Sequence, residues 1–384
     1  MKKILAIVFA IVLPLLVSTS AHAQMLPSPA IAARSWLLLD VNSGQAIASQ
    51  DADTRIEPAS LTKLMTAYLV FTALNEKRLD LNQMVNVSTN AWKVDPSSSK
   101  MFIEPGTPVS IQNLLYGLIV QSGNDAAVAL AEAVAGDESA FVVMMNKEAE
   151  RMGMKSTQFA NSHGLPHKDN YSTARDLSIL ATNLIRDYPE LYKMYSTKEF
   201  TYNRIRQPNR NRLLWLDPTV DGLKTGHTES GGYSLISTAK RSSTAGERRM
   251  LSVVIGTASD QMRAQESLKL LNWGFQNFDT VKLYDKGQAI ATPDVWKGSK
   301  SQVPIGFTRD AYVTIPKGMA ARMKTVLERQ DPLLAPLQEG SPVGMLKILV
   351  DEKPVAEFPV VALEPVSLGS FLGRLWDTIR MWFR

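Results

Sequence analysis

The order of apolar and polar residues predicts helices packed on a sheet in the first part of the chain. "SWLLLDVNSGQAIAS" predicts two strands around the turn Asn42-Ser43-Gly44, and "GGYSLISTAK" and "RMLSVVIGTA" predict two more, joined by the polar turn "RSSTAGE". Helical spacing of apolar residues predicts four further regions. These follow Pro58 as far as Leu74, cover 110–152, cover 172–186 with Ser172 as N-cap, and run from about Gln261 to Phe275.

The pattern changes near Asp279. From there the apolar runs are short and broken by Gly and Pro, which predicts a small β-rich domain over residues 279–365, with one helix at about 320–327. The whole chain is therefore expected to be α+β. The boundaries we expect are a signal peptide at 1–23, a first domain at 24–278, the β-rich domain and a tail at 366–384.

The tail has the spacing of an amphipathic helix. One side would carry eight large apolar residues and the other side would carry the arginines and Asp377. Two tryptophans beside arginines predict a helix that lies in a membrane interface. The tail has under 20 residues and carries four charges, so it is a poor membrane-spanning segment. Docking on its own protein, or on a second copy, is the alternative. The apolar side comprises Leu368, Phe371, Leu372, Leu375, Trp376, Ile379 and Trp382, followed by Phe383.

The first 23 residues have the composition of a secretory signal. Lys2 and Lys3 precede an apolar run, and small residues end it at Ala21-His22-Ala23. The mature protein is expected to begin near Gln24 and to be exported, and a retained membrane anchor is the alternative.

Composition narrows the possible chemistry. The 384 residues are 45% apolar and 21% charged, as in an ordinary globular protein. The chain has no cysteine, which excludes disulfides, thiol catalysis and cysteine metal sites. A net charge of +5, or +3 without Lys2 and Lys3, is too weak a bias to indicate nucleic-acid binding, although it suits anionic envelope polymers. His163 and His167 are separated by Gly164 and Pro166, so we expect loop residues and neither a metal nor a cofactor.

The start of the Pro58 helix carries a candidate nucleophile and base. Ser60 and Lys63 are three residues apart and share a helix face. Serine needs a base to take its proton, and a lysine can do so only when burial or a neighbouring positive charge lowers its pKa. An N-cap serine with a surface-reaching lysine is the structural alternative, and S-x-x-K also occurs at Ser97 and Ser237.

Two later motifs favour the catalytic interpretation. Ser122-Gly123-Asn124 precedes a helix, and Lys224-Thr225-Gly226 leads into a strand pair. A helical S-x-x-K with S-D-N and K-T-G is the set used by penicillin-binding proteins and class A β-lactamases, and Gly123 replaces the Asp of that set.

Acyl transfer assigns a role to each residue. Ser60 would attack a carbonyl, Lys63 would take its proton and Ser122 would relay that proton to the leaving amine. Asn124 would hold Lys63 and a substrate amide. Lys224 would keep Lys63 neutral and, with the Thr225 hydroxyl, bind a carboxylate. Gly226 would leave room for substrate along the strand. The N–H groups of Ser60 and His227 would form an oxyanion hole.

From about Ile31 onward the chain resembles the low-molecular-mass penicillin-binding proteins that are serine-type D-alanyl-D-alanine carboxypeptidases. The resemblance rests on "PASLTKLMTAY", "LIVQSGNDAAVALAE", "FANSHGLPHKDNYSTARDL", "RQPNRNRLLW" and "VDGLKTGHTESGGYSLI". It implies a β-lactamase/transpeptidase-like domain, removal of the terminal D-alanine from peptidoglycan stem pentapeptides, and acylation by β-lactams. It also implies a periplasmic location with the tail at the inner membrane, and a carboxylate contact from Arg210, with Arg212 as the alternative.

Two other functions stay open at this point. A β-lactamase would use the same nucleophile but needs a further acid to activate water, for which Glu190 is a candidate. A scaffold that binds peptidoglycan without catalysis would be expected to have lost part of the motif set, which here is intact.

Overall fold

The structure is a computed structural model that describes residues 27–243 and 246–382. The predicted signal peptide at 1–23 lies outside the described residues, as do Phe383 and Arg384 of the tail. The α+β prediction is confirmed: a helix-covered sheet is followed by a β-rich domain and a terminal helix.

The described residues of the first domain form nine strands and nine α-helices. Its strands are β1 (Ser35–Asp40), β2 (Ala46–Gln50), β3 (Met84–Asn86), β4 (Pro108–Ser110), β5 (Glu199–Tyr202), β6 (Ile205–Pro208), β7 (Val220–Thr228), β8 (Gly232–Ser243) and β9 (Gly246–Thr257). Its helices are α1 (Lys63–Asn75), α2 (Thr89–Trp92), α3 (Ile111–Tyr116), α4 (Asn124–Ala135), α5 (Glu138–Met152), α6 (Ala174–Asp187), α7 (Pro189–Tyr192), α8 (Leu213–Leu216) and α9 (Asp260–Asn277).

The main sheet is antiparallel and has the order β2-β1-β9-β8-β7. Successive strand residues point to opposite faces, and both faces are covered. On one face Trp36, Leu38 and Leu235 pack with α9, and on the other Leu37 and Ile236 join the core around α1. Burial on both faces explains why strand β1 is a continuous apolar run instead of an alternating one.

Helix α1 runs through the centre of the larger core. Every residue from Lys63 to Phe71 is buried, so the helix has no solvent-facing side. Helices α3, α4, α5 and α6 contribute to the same core. Lys63 therefore lies inside the protein and not at the edge of an apolar stripe.

Three local predictions were wrong. Helix α6 is capped by Thr173 and not by Ser172, because it is the Thr173 hydroxyl that accepts from the Asp176 N–H at 3.0 Å. The helix expected at 320–327 is one 3₁₀ turn, Ala320–Arg322, followed by a strand, because its apolar residues pair across a sheet. The polar turn "RSSTAGE" is mostly strand, since β8 and β9 run to Ser243 and Gly246.

The second domain has a five-stranded sheet in the order β11-β13-β18-β17-β15, with two small strand pairs. Its strands are β10 (Phe278–Tyr284), β11 (Ala289–Ala291), β12 (Val295–Trp296), β13 (Ile305–Gly306), β14 (Ala311–Pro316), β15 (Met323–Arg329), β16 (Leu333–Leu334), β17 (Pro342–Val350) and β18 (Lys353–Ala362), and helix α10 (Phe371–Trp382) follows. The junction between the domains is polar: Thr314 N–H donates to the Gln45 side chain at 2.6 Å, and the buried Arg248 donates to Thr280 Oγ1 at 2.7 Å.

Candidate active site

Ser60 lies on a 3₁₀ turn, Ala59–Thr62, that leads directly into α1. The turn begins at Ala59 with φ of +48°, a left-handed backbone that is costly for an alanine. Gly164 packs against it so closely that a Cβ there would lie 1.8 Å from the Ala59 carbonyl oxygen. The loop that holds Gly164 therefore fixes the turn that presents Ser60.

Three acceptors surround the Lys63 ammonium group. Lys63 Nζ lies 3.1 Å from Ser60 Oγ, 2.6 Å from Asn124 Oδ1 and 2.6 Å from the His163 carbonyl oxygen. The side chain is 1% exposed. Helices α1 and α4 and the loop after α5 thus converge on one nitrogen, in hydrogen-bonding distance of the candidate nucleophile.

Burial first, and then the nearby Arg210 guanidinium, lower the pKa of Lys63 to about 7, while Asp125 opposes the shift. The pKa of Lys224 is also held well below its usual range, by burial first and then by Lys63, Arg210 and Arg263. The sequence had favoured Lys224 as the charge that keeps Lys63 neutral. Arg210 is the neighbouring cation that lowers the pKa of Lys63. Lys63 and Lys224 also repel each other, which lowers the pKa of Lys224, and the role given to Lys224 stays a prediction.

Ser122 lies in the short connection between helices α3 and α4. Residues Gly117–Gln121 form a π-helical turn, and Ser122 has a left-handed backbone with φ of +65°. Its hydroxyl accepts from Lys224 Nζ at 2.9 Å. Gly123, which stands where the S-D-N form of the motif has Asp, sits where a Cβ would lie 2.7 Å from an Asp125 carboxylate oxygen and 3.0 Å from Met101 N. Glycine at 123 is what lets the Ser122 turn pack on that loop.

The K-T-G residues lie on β7, the edge strand of the main sheet. Lys224 and Thr225 are buried, and His227 is exposed with its ring against Tyr233 at 4.1 Å between centroids. A Cβ on Gly226 would lie 3.2 to 3.4 Å from Leu61, Pro58 and Ala59. The glycine therefore lets β7 approach the Ser60 turn, which is a different reason from the substrate space that the sequence suggested.

Arginines line one wall of the site. Arg210 has no ion-pair partner among the described residues, whereas Arg212 Nε binds Asp260 at 2.6 Å. The buried Arg263 also binds Asp260, and it donates to the Gly226 carbonyl oxygen at 3.1 Å. Of the two arginines considered from the sequence, Arg210 is the one left available for an anion.

Seven of the nine predicted site residues line one open cavity of about 700 Å³. The other two, Lys63 and Lys224, lie behind it and are bonded to Ser60 and Ser122. Ser97 also lines this cavity, but its hydroxyl donates to Asp95 at 2.7 Å. Ser237 is fully buried in the sheet against Ser252, 2.8 Å away. Glu190 lines a separate cavity between the domains and pairs with Lys193 at 2.6 Å.

Three residues at the site were missed from the sequence. The His163 carbonyl orients Lys63, Arg263 holds Gly226, and the buried Asp125 carboxylate accepts from the N–H groups of Met101, Phe102 and Ile103 at 2.9 to 3.3 Å. A main-chain carbonyl leaves no sequence signal. Asp125 had one, since it directly follows the Ser122-Gly123-Asn124 motif.

Known proteins are similar to this chain over nearly its whole length. A family profile described as D-alanyl-D-alanine carboxypeptidase, peptidase S11, matches residues 19–259, and one for the C-terminal domain of penicillin-binding protein 5 matches residues 278–367. The D-alanyl-D-alanine carboxypeptidase DacC of Escherichia coli K12 is 43% identical over 369 residues, which cover 94% of this chain and 91% of the relative.

Solved structures show the same fold. Penicillin-binding protein 5 from Haemophilus influenzae superposes with a TM-score of 0.83 at 42% identity, over 89% of this chain and 99% of that one. Penicillin-binding protein D2 from Listeria monocytogenes, solved in a cefotaxime-bound form, is 31% identical over 65% of this chain and all of its own, with a TM-score of 0.59. The chain belongs to the D-alanyl-D-alanine carboxypeptidase family of serine-type hydrolases, with a penicillin-binding-protein-5 type C-terminal domain.

Proposed function

We propose that this protein removes the terminal D-alanine from peptidoglycan stem pentapeptides through an acyl-enzyme on Ser60, and that β-lactams acylate the same serine. The observation that carries the proposal is the 3.1 Å contact between Ser60 Oγ and a buried amine whose pKa is about 7. Such an amine is partly neutral at physiological pH and can take the serine proton.

The proposed reaction has two halves. Lys63 takes the proton of Ser60 as Oγ attacks the carbonyl, and the oxyanion is stabilised by the N–H groups of Ser60 and His227. The C–N bond then breaks, Ser122 passes a proton to the departing D-alanine amine, and water later hydrolyses the ester. Asn124 holds the Lys63 amine and the substrate amide in register.

We assign recognition of the substrate carboxylate to the side of the cavity that carries the cationic side chains. Thr225 and Arg210 line the cavity, and Lys224 lies behind Ser122. Arg210 has no ion-pair partner among the described residues, so its guanidinium is free to bind the terminal carboxylate of the substrate or of a penicillin.

A β-lactamase function is less well supported. Asp260 is the acidic residue among the described residues that line the cavity, and its two oxygens bind Arg212 and Arg263. Because both of its oxygens already bind arginines, Asp260 is poorly placed to orient and deprotonate an attacking water. Glu190 does not reach this cavity.

The decisive experiment combines two measurements on the purified mature protein. A peptide that ends in D-alanyl-D-alanine should release free D-alanine, and a labelled penicillin should be found by peptide mapping on the fragment that contains Ser60. Label on another fragment would overturn the assignment of the nucleophile. Labelling of Ser60 with rapid nitrocefin turnover and no D-alanine release would instead support a β-lactamase.

The rate of acylation should depend on pH through Lys63. The base form is neutral, so the rate should fall about tenfold per pH unit below the pKa of about 7 and level off above it. Arg210→Gln removes a cation that lowers this pKa, so its acid limb should move to higher pH. Stopped-flow acylation from about pH 5 to about pH 9 would measure both profiles, because this range extends to both sides of the lowered lysine pKa. An unchanged limb in Arg210→Gln would contradict the assigned charge effect.

We propose that the mature chain works in the periplasm and is held at the inner membrane by α10. The proposed units are 24–278 for catalysis, 279–365 as the β-rich domain and 366–384 as the anchor. No helix among the described residues is long and apolar enough to span a bilayer. Helix α10 turns its polar side to its own domain, since Asp377 accepts from Lys297 N–H at 2.7 Å and Arg380 lies over the Trp296 ring.

The apolar side of α10 faces outward, opposite to what docking on its own domain would require. Phe371, Leu372 and Trp382 are 71%, 75% and 87% exposed. An apolar helix face left this exposed supports insertion into the membrane interface.

Changing the exposed face of α10 should release the protein from membranes. Leu372→Glu with Trp376→Glu is expected to lower the partition coefficient onto vesicles by about a hundredfold, because each large side chain contributes about 1.5–3 kcal/mol when buried. D-Alanine release in solution should not change. Val326→Glu, at an exposed site on strand β15, is the matched control and should bind as wild type. Equal vesicle binding by both variants would mean that α10 is not the anchor.

A further inference from the structure

Strand β7 contains a β-bulge just before its K-T-G residues. Val220 pairs with Ala239, but Gly222 pairs with Thr238, so Asp221 is an extra residue and shares the partner of Gly222. From there the register is regular, and Lys224 pairs with Ile236.

The bulge decides which face of the sheet receives Lys224. Directly opposed residues in an antiparallel pair lie on one face, and a shift by one residue sends every side chain to the other face. Ile236 belongs to the core around α1, whereas Leu235 belongs to the core under α9. Without the extra residue Lys224 would oppose Leu235, on the face away from Ser122 and Lys63.

A polar cluster holds the bulge, with Arg249 and Tyr192 buried and Asp221 partly exposed. The Asp221 carboxylate accepts from Arg249 at 2.7 and 2.6 Å and from the Tyr192 hydroxyl at 2.7 Å. Thr238, the residue opposite the bulge, donates to the same carboxylate at 3.3 Å and also bonds Arg249. Arg249 is 7% exposed and its guanidinium lies 5.0 Å from the Tyr192 ring centroid. The cluster therefore fixes both strands at the bulge.

The next residue ties the bulge to the arginine wall of the site. A Cβ on Gly222 would lie 2.7 Å from the Tyr192 hydroxyl, so the cluster can form only beside a glycine. The Gly222 carbonyl oxygen accepts from the buried Asn211 side chain at 3.0 Å, and Asn211 follows Arg210 in the chain. The bulge is thus bonded to the segments that carry Lys224, Thr225 and Arg210.

We propose that Asp221, Arg249 and Tyr192 are positioning residues: they lock the β7 bulge and thereby aim Lys224 and Thr225 at the carboxylate of the substrate. This inference rests on the carboxylate recognition in the proposed function. None of the three side chains is assigned a contact with substrate, so their effect should appear as lost discrimination for the carboxylate.

The test compares a penicillin with its methyl ester. Wild-type enzyme should be acylated faster by the carboxylate form. Tyr192→Phe removes one hydroxyl from the cluster and Asp221→Asn removes its charge. In both variants the second-order rate constant of acylation should fall roughly tenfold for the carboxylate form and much less for the ester, because a displacement of about 1 Å is enough to lose a positioned contact. The preference ratio should therefore collapse.

Arg241→Lys is the matched control. Arg241 forms a similar partly buried pair with Asp217 at 2.8 Å on the neighbouring strand, but it does not bond the bulge. It should keep the wild-type ratio at a comparable loss of melting temperature. Folded Tyr192→Phe with a wild-type ratio, or with equal losses for both ligands, would overturn the positioning role, even if Asp221→Asn fails to fold. A wild-type enzyme that does not distinguish acid from ester would contradict the carboxylate recognition itself, and the acylation rate of Tyr192→Phe against Arg241→Lys would then decide the positioning role.

Discussion

Ser60→Ala is expected to abolish both covalent labelling by penicillin and release of D-alanine. The hydroxyl is the proposed attacking atom, and without it only non-covalent binding and the oxyanion contacts remain, so the rate should fall by about 10⁴ or more. The variant should fold normally, because Lys63 keeps Asn124 and the His163 carbonyl as acceptors. Gel fluorescence with a labelled penicillin, intact mass and a D-alanine assay would measure the loss.

The other two S-x-x-K serines serve as controls for this prediction. Ser97→Ala changes a serine that lines the same cavity but bonds Asp95, and Ser237→Ala changes one inside the sheet. Both variants should still be labelled at Ser60. Persistent labelling of Ser60→Ala would mean that Ser60 is not the nucleophile. Loss of labelling in Ser97→Ala alone would assign the nucleophile to Ser97.

The sequence was informative where a residue type carries chemistry and its element is regular. Ser60, Ser122 and Lys224 lie far apart in the chain, yet their motifs predicted one site. In the structure Lys63 bonds both Ser60 and Asn124, and Lys224 bonds Ser122, so the three motifs meet. The α+β order also followed from periodicity, because long helices such as α6 and α9 repeat their apolar residues regularly.

What escaped the sequence depends on register and on the main chain. The sequence "VDGLKTG" does not reveal the β7 bulge, because nothing in these residues indicates that one of them lacks its own partner on β8. Every residue type has a main-chain carbonyl, so the sequence does not mark the one at His163 that contacts Lys63. For Gly226 the motif gave the right residue and an incomplete reason, because the atoms nearest to it belong to Pro58, Ala59 and Leu61.

Short apolar segments were ambiguous for a different reason. "AARMKTVL" has helical spacing, but β17 is available as a strand partner, and the pairing of residues Met323–Arg329 with β17 decides the outcome. The same holds for the cap of α6. Ser172 and Thr173 are both good caps, and Ser172 is used in a backbone bridge to Ile56 instead.

Lys63→Arg should reduce acylation of Ser60 by about 10³ or more, since a guanidinium does not lose its proton below about pH 12 and general-base catalysis contributes up to that order. The positive charge and hydrogen-bond donors remain, so the loss isolates the proton acceptor. Raising the pH to about 10 should not restore the rate, because arginine stays protonated there. Lys63→Gln, neutral and smaller, should be equally inactive, which separates the missing base from the larger side chain.

The structure also contains a second amine against which this prediction must be tested. Lys224 lies 2.9 Å from Ser122 Oγ and its pKa is likewise lowered by burial, so a proton could in principle leave Ser60 by way of Ser122. Lys224→Arg places a permanent cation near the carboxylate site and removes that base. If Lys63 is the base, Lys224→Arg should retain measurable acylation with an acid limb near pH 7, whereas Lys63→Arg should have none. The reverse order of activities would assign the base to Lys224, and stopped-flow acylation of the two variants across the same pH range decides between them.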